Sequence, residues 1–140
     1  MIRDYRVSDI DQILAIWLSA SIKAHDFIES AFWESKINEM REVYIPASDT
    51  FVYEVEGEIV GFYSLYQDTL AAIFILPNFQ GKGLGSILLD DAKKRRENLQ
   101  LTVYKENTKS IQFYEKHRFV LLSEQVDVHT GHPELIMVYR

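Results

Sequence analysis

The chain has 140 residues, 47% of them hydrophobic and 26% charged, with no cysteine and a formal net charge of −6. One domain spanning 1–140 fits that length, with apolar material for a core, and the lack of cysteine excludes disulfides, thiolate metal sites and cysteine nucleophiles. The acidic balance speaks against sequence-independent nucleic-acid binding, and with no apolar leader in Met1-Ile2-Arg3-Asp4-Tyr5-Arg6 and no bilayer-length apolar run, a cytoplasmic protein with no nucleic-acid or membrane partner is expected.

Residues 2–7 read as a first strand, and Ser8-Asp9-Ile10-Asp11 as a helix start with an acidic variant of the capping box. Ile10, Ile13, Leu14, Trp17 and Ser21 follow the helical period, with Trp17 as the large anchor. A second helix is predicted from Ser30, with Trp33, Ile37, Met40 and Tyr44 on one stripe and Pro46 at its end. Between the two helices lies the polar-aromatic segment Lys23-Ala24-His25-Asp26-Phe27-Ile28. Phe51, Tyr53 and Val55 alternate with Val52 and Glu54, and Glu56-Gly57-Glu58 turns the chain into a partner strand over 59–66. The nearly unbroken apolar run 70–76 suits a central strand buried on both faces.

That run passes through Leu76-Pro77-Asn78-Phe79-Gln80-Gly81-Lys82-Gly83-Leu84-Gly85-Ser86 into a helix whose Leu84, Ile87, Leu88 and Ala92 are expected to face the sheet. Lys93-Lys94-Arg95-Arg96, late in this helix, reads either as a solvated face complementing the helix C-terminus or as an attraction for an anionic ligand. A strand over 99–104, a helix over 108–116 and a final strand pair, 119–128 with 134–139, complete the chain. Pattern alone gives α/β or α+β with one sheet.

Gly81, Gly83 and Gly85 stand at alternate positions between an apolar strand and a helix. Such glycines let main-chain N–H groups approach a ligand, and the helix adds the positive end of its dipole, so phosphate is the natural guest. The spacing is neither that of a P-loop nor that of a dinucleotide fingerprint.

Gln80-Gly81-Lys82-Gly83-Leu84-Gly85 resembles the Q/R-x-x-G-x-G/A motif of the GCN5-related N-acetyltransferases (GNAT). Asn107-Thr108-Lys109-Ser110-Ile111-Gln112-Phe113-Tyr114-Glu115-Lys116, followed by Phe119, resembles that family's N-x(6)-Y-E-K-x-G-F segment. The likeness runs well over about 54–119 and more loosely before it, and it suggests a small bacterial-type single-domain member. It implies an α/β (α+β) fold with a central mixed β-sheet flanked by helices on both faces, the fourth and fifth strands splayed to admit a cofactor arm. The implied activity is direct transfer of the acetyl group of acetyl-CoA, in a ternary complex and without metal, to a primary amine of a small molecule or of a protein lysine or N-terminus. A homodimer is compatible with this. A second class is an acyl-CoA-binding sensor or interaction module without turnover, and thiol release with a panel of amines separates the two.

Carried over residue by residue, the resemblance gives Ile73, Phe74 and Ile75 the peptide groups that pair with the pantetheine arm, one N–H polarising the acetyl carbonyl. Gln80, Gly81, Lys82, Gly83, Leu84, Gly85 and Ser86 would receive the pyrophosphate, mostly through main-chain N–H. Asn107 matches an amide contact to the arm and is equally a favoured helix N-cap, two compatible roles. Tyr114 matches the tyrosine that gives its proton to the departing thiolate, while Tyr104 reads as a packing residue at a strand end.

Two departures stand out. Arg118 occupies the place of a glycine, so a left-handed cap there costs on the order of 1 kcal/mol or is built differently. Thr102 stands where several peptide-acetylating relatives have a glutamate base, which leaves a water chain, His25, Glu54 or Asp68 for that task. His25-Asp26-Phe27-Ile28 resembles the H-x-F-I/L found between the first two helices of some small bacterial members. His25 and Phe27 are therefore candidates for the acceptor site, with His25 titrating in a useful range. His117, His129 and His132 show no spacing with carboxylates that suggests a metal site.

Overall fold

The computed structural model describes residues 1–140. The chain opens with β1 (Ile2–Asp4), a 3₁₀ turn (Val7–Asp9) and α1 (Ile10–Ala24). The capping arrangement lies earlier than the sequence suggests. Asp9, rather than Asp11, accepts from the Arg6 N–H at 2.8 Å, and Arg3 holds the same carboxylate at 2.9 and 3.1 Å.

The expected second helix is broken into α2 (Ser30–Ser35), α3 (Ile37–Glu39), a π-helical turn (Met40–Tyr44) and α4 (Ile45–Ala47). The wider i→i+5 turn rotates the residues after Met40 off the 3.6-residue stripe. Trp33 is therefore buried as expected, while Tyr44 is 54% exposed.

Strands β2 (Asp49–Val55) and β3 (Glu58–Tyr66) form the predicted hairpin, its turn made by Glu56 at φ 51° and Gly57 at φ 81°. β3, and not the run 70–76, is the strand buried from Ile59 to Leu65. In β4 (Thr69–Ile75) only Leu70 is buried. The cause is a register shift: Ser64 pairs with Ala72 but Leu65 with Leu70, so Ala71 is an extra residue in β4. A bulge of this kind bends and twists its strand. β4 and the parallel β5 (Leu99–Tyr104) keep one pair, Thr69 with Gln100, and separate beyond it. The apolar side chains of β4 thus line an opening.

After a 3₁₀ turn (Pro77–Phe79) comes α5 (Leu84–Arg95), then α6 (Thr108–Lys116) and the antiparallel pair β6 (Val120–Val126) and β7 (Pro133–Tyr139). The seven strands form one mixed sheet in the order β1-β2-β3-β4-β5-β7-β6. α5 presses Leu88, Leu89 and Ala92 against one face, together with Leu99, Leu101 and Met137. α1 and α2 cover the other with Ile13, Ile16, Trp17 and Trp33 over Val52 and Phe62. Ile87, expected against the sheet, is 44% exposed because Leu89 occupies that stripe instead. The basic run is mostly pinned rather than free. Lys93 donates to the His117 carbonyl, Arg95 to Asp91 and the Tyr63 hydroxyl, and Arg96 to Asp49.

The end of α6 is a left-handed cap despite the missing glycine. Arg118 takes φ 72°, the Phe119 N–H donates to the Tyr114 carbonyl and the Arg118 N–H to that of Glu115, which is the Schellman pattern. Packing of Phe119 on Tyr114, ring centroids 5.7 Å apart, offsets the backbone cost of about 1–2 kcal/mol. No helix is long and apolar enough to cross a membrane.

Candidate active site

Where β4 leaves β5, the sheet opens into a cavity of about 1520 Å³. Of the residues that the resemblance assigns to cofactor, proton transfer and acceptor, all but Lys82 line it: Ile73, Phe74 and Ile75 from β4, Gln80, Gly81, Gly83, Leu84, Gly85 and Ser86 from the glycine loop, Asn107 and Tyr114 from α6, and His25 and Phe27 from the end of α1 and beyond. Lys82 turns its ammonium onto the Phe79 ring, 5.1 Å from the centroid.

The glycine loop is built to receive an anion. Gly81 and Gly83 sit at φ 78° and 80°, and a Cβ on either would meet nothing within 4 Å, so the space in front of the backbone is open. The six consecutive amides of residues 81–86 donate to no protein acceptor. They lie just before and in the first turn of a twelve-residue helix, where unpaired N–H groups and the helix dipole favour negative charge. A diphosphate fits these residues. The Ser86 hydroxyl faces His117 Nε2 at 3.0 Å instead. Gln80 ties the loop down, donating to the Ile75 carbonyl at 2.9 Å and accepting from Lys23 Nζ at 3.1 Å.

Tyr114 presents a hydroxyl with no hydrogen-bond partner in the protein. Burial raises its pKa above the usual phenol range, so it stays protonated at working pH. Asn107 is the expected N-cap, its side-chain oxygen accepting from the Ser110 N–H at 3.3 Å, while its amide nitrogen lies in the cavity and faces His25 Nε2 at 3.4 Å. An amide nitrogen can only donate, so His25 Nε2 accepts and the ring proton sits on Nδ1. That Nδ1 is buried without a hydrogen-bond partner.

His25 is not the exposed, titrating base that its loop position suggests. It is buried between Trp33, Tyr104 and Phe27, at centroid distances of 5.0, 5.1 and 5.9 Å. Burial pulls its pKa down to about 4, against a small upward pull from the Ser21 carbonyl. Glu54 and Asp68 are absent from the cavity. Glu54 is ion-paired with Arg3 at 3.1 Å, and Asp68 sits at the closed end of the splay, its carbonyl accepting from the Gln100 N–H.

The neutral state of His25 makes stability acid-sensitive. Its folded pKa lies below its unfolded one, so the protein is fully stabilised above about pH 6.5 and loses about 3 kcal/mol as pH falls to about 4, where the unfolded chain holds a proton that the fold refuses. His25→Phe should remove most of this loss. Urea unfolding at about pH 7 and about pH 4.5 measures it; equal pH dependence in both proteins would contradict the burial of a neutral ring.

Tyr104 reads in the sequence as a packing residue and Asp127 carries no signal there, yet both belong to the cavity. Tyr104 lines the cavity and donates to Asp127 Oδ2 at 2.5 Å. Burial and this carboxylate raise the phenol's pKa. Burial pushes the Asp127 carboxyl up, but hydrogen bonds from Tyr104, the His129 amide and Thr130 outweigh it and hold Asp127 below the usual carboxylate range. Asp26, Glu106 and Glu134 line the same cavity, as do Lys109 and Lys23, the latter bonded to Gln80 of the glycine loop. The acidic groups lie on loops and strand ends distant in sequence, and only the position of Tyr104, three residues before Asn107, hinted at this wall.

Known proteins resemble this chain in sequence and in fold. The sequence model of the acetyltransferase (GNAT) domain matches residues 46–121. The chain is 31% identical over 138 residues to the peptidyl-lysine N-acetyltransferase YiaC of Escherichia coli (strain K12), covering 98% of this chain and 94% of that one. It is 29% identical to the peptidyl-lysine N-acetyltransferase YjaB of Salmonella typhimurium (strain LT2), covering 99% and 97%. The solution structure of apo-form YjaB from Escherichia coli superposes with a TM-score of 0.87 at 27% identity, covering 99% and 96%. The PaiA N-acetyltransferase of Thermoplasma acidophilum, solved with coenzyme A, shares the fold at a TM-score of 0.82 and 18% identity, covering 99% and 96%.

Proposed function

The chain belongs to the GNAT acetyltransferases, and from that membership we propose that residues 1–140 act as one domain that acetylates the side-chain amine of a protein lysine with acetyl-CoA. The observation that carries this reading is the set of unpaired amides of residues 81–86, in one cavity with the open β4 and the unpartnered hydroxyl of Tyr114. Peptidyl-lysine N-acetylation, the activity by which the relatives YiaC and YjaB are named, supports lysine over other amines.

Acetyl-CoA, when bound, supplies the thioester that the amine attacks. The amides of residues 81–86 hold its pyrophosphate, and β4 at Ile73, Phe74 and Ile75 offers main-chain groups to its arm, with Asn107 across the opening. The carboxylates of Asp127 and Glu134 draw the lysine ammonium to the cavity, and the apolar wall of Phe27 and Trp33 beyond them favours its neutral, nucleophilic form by desolvation. His25, neutral above about pH 4, keeps Asn107 in place. Tyr114 gives its proton to the leaving sulfur, the attacking nitrogen loses a proton to water as the amide forms, and a solvent proton restores the phenol. Its raised pKa does not oppose this, because a thiolate in the same desolvated site is raised as well.

Mass spectrometry of a lysine peptide incubated with acetyl-CoA tests the proposal. Nε-acetyl-lysine should form in step with released thiol; thiol release without acetyl-peptide for every lysine peptide tried would move the acceptor to another amine.

A further inference from the structure

Val43, Tyr44 and Tyr66 are large apolar side chains left 54%, 54% and 51% exposed, and all three line the cavity that contains Tyr114. Isolated exposed apolar residues are ordinary, but several at one active-site cleft mark a binding surface. Two of them lie in the π-helical turn of Met40–Tyr44. An unbroken α-helix would have kept Tyr44 on the stripe of Trp33, and π turns gather at functional sites.

The side of the sheet is also defined. Phe62 packs in the core beneath α1 and α2, so by strand alternation Ser64 and Tyr66 point to that same side, as does Ala72 opposite Ser64. Tyr104 packs there too. A groove therefore runs along the acceptor face, from the wall of Val43 and Tyr44, over the small side chains of Ser64 and Ala72, to the wall of Tyr104 and Asp127. The groove and the glycine loop share one cavity of about 1520 Å³.

Building on the protein-lysine reading, we propose that this groove binds the polypeptide around the target lysine, with an apolar or aromatic residue near that lysine seated against Val43, Tyr44 and Tyr66. The occupant follows from three features: continuity with the catalytic cavity, an apolar wall beyond the reach of a lysine side chain, and carboxylates on the opposite wall for the lysine itself. The protein then selects lysines by an apolar neighbour and acetylates isolated lysine poorly.

The test compares kcat/KM for Nα-acetyl-lysine amide, a lysine peptide flanked by glycines, and the same peptide with phenylalanine or leucine within two or three residues of the lysine. Wild type should favour the apolar-flanked peptide over the glycine peptide by about 10-fold or more, the effect of burying one apolar side chain. Tyr44→Ser and Val43→Ser, checked for unchanged Tm and coenzyme A affinity, should reduce that preference to within about 3-fold and leave the lysine amide unaffected. The wild-type comparison needs no variant. No flank preference in wild type, or a preference untouched in both variants, overturns the groove while lysine acetylation stands. Turnover of free amines with no lysine peptide acetylated overturns both.

Discussion

Gly83→Val is expected to abolish measurable coenzyme A binding. Gly83 is the N-cap of α5 at φ 80°, a conformation that a β-branched residue adopts only under strain. Its missing Cβ leaves open space in front of the amides of residues 81–86. Valine there would both distort the nest and occupy the ligand's place. Losing two or more charge-assisted hydrogen bonds of about 1.5–3 kcal/mol each corresponds to a rise in Kd of roughly 100-fold or more. Lys82→Ala should raise Kd by no more than about 5-fold, the effect of one exposed charge, because its ammonium rests on Phe79 outside the cavity. Calorimetry with coenzyme A distinguishes the two, and equal losses would mean that side-chain charge, not main-chain geometry, governs affinity.

Tyr114→Phe should preserve the fold and cofactor affinity and lower kcat by roughly 10- to 1,000-fold, water replacing part of a lost general acid. The phenol makes no hydrogen bond within the protein, so its removal orphans no partner. The rising limb of the pH profile should persist in the variant. His25 is neutral above about pH 4, so that limb reports deprotonation of the amine. Wild-type kcat at saturating substrates, with chemistry shown to be rate-limiting, would leave Tyr114 a packing residue between Phe113 and Phe119.

The half of the cavity proposed to hold the cofactor is legible in the sequence because its features are local. Gly81 and Gly83 act through their own backbone, Asn107 caps the helix it precedes, and Tyr114 lies seven residues further along that helix. The acceptor half depends on tertiary placement. One inserted residue, Ala71, opens β4 from β5 and turns an apolar run that reads as core into a cavity lining. One π turn exposes Tyr44. His25 reads as a loop residue but is enclosed by aromatic rings from three segments. Asp127 meets Tyr104 only when the β6–β7 loop folds against the end of β5. Arg118 shows the converse: its departure from glycine is plain in sequence, yet the cap forms unchanged because Phe119 and Tyr114 pack across it.

The most direct test of acetyl transfer from acetyl-CoA to a lysine held in the same cavity is the initial-rate pattern with acetyl-CoA and a lysine peptide varied against each other. Both substrates occupy one continuous space, and the chain has no cysteine to carry an acetyl group. Intersecting double-reciprocal lines, with no acetylated protein intermediate after incubation with acetyl-CoA alone, are expected. Parallel lines with a chemically competent acetyl-enzyme would contradict direct attack in a ternary complex.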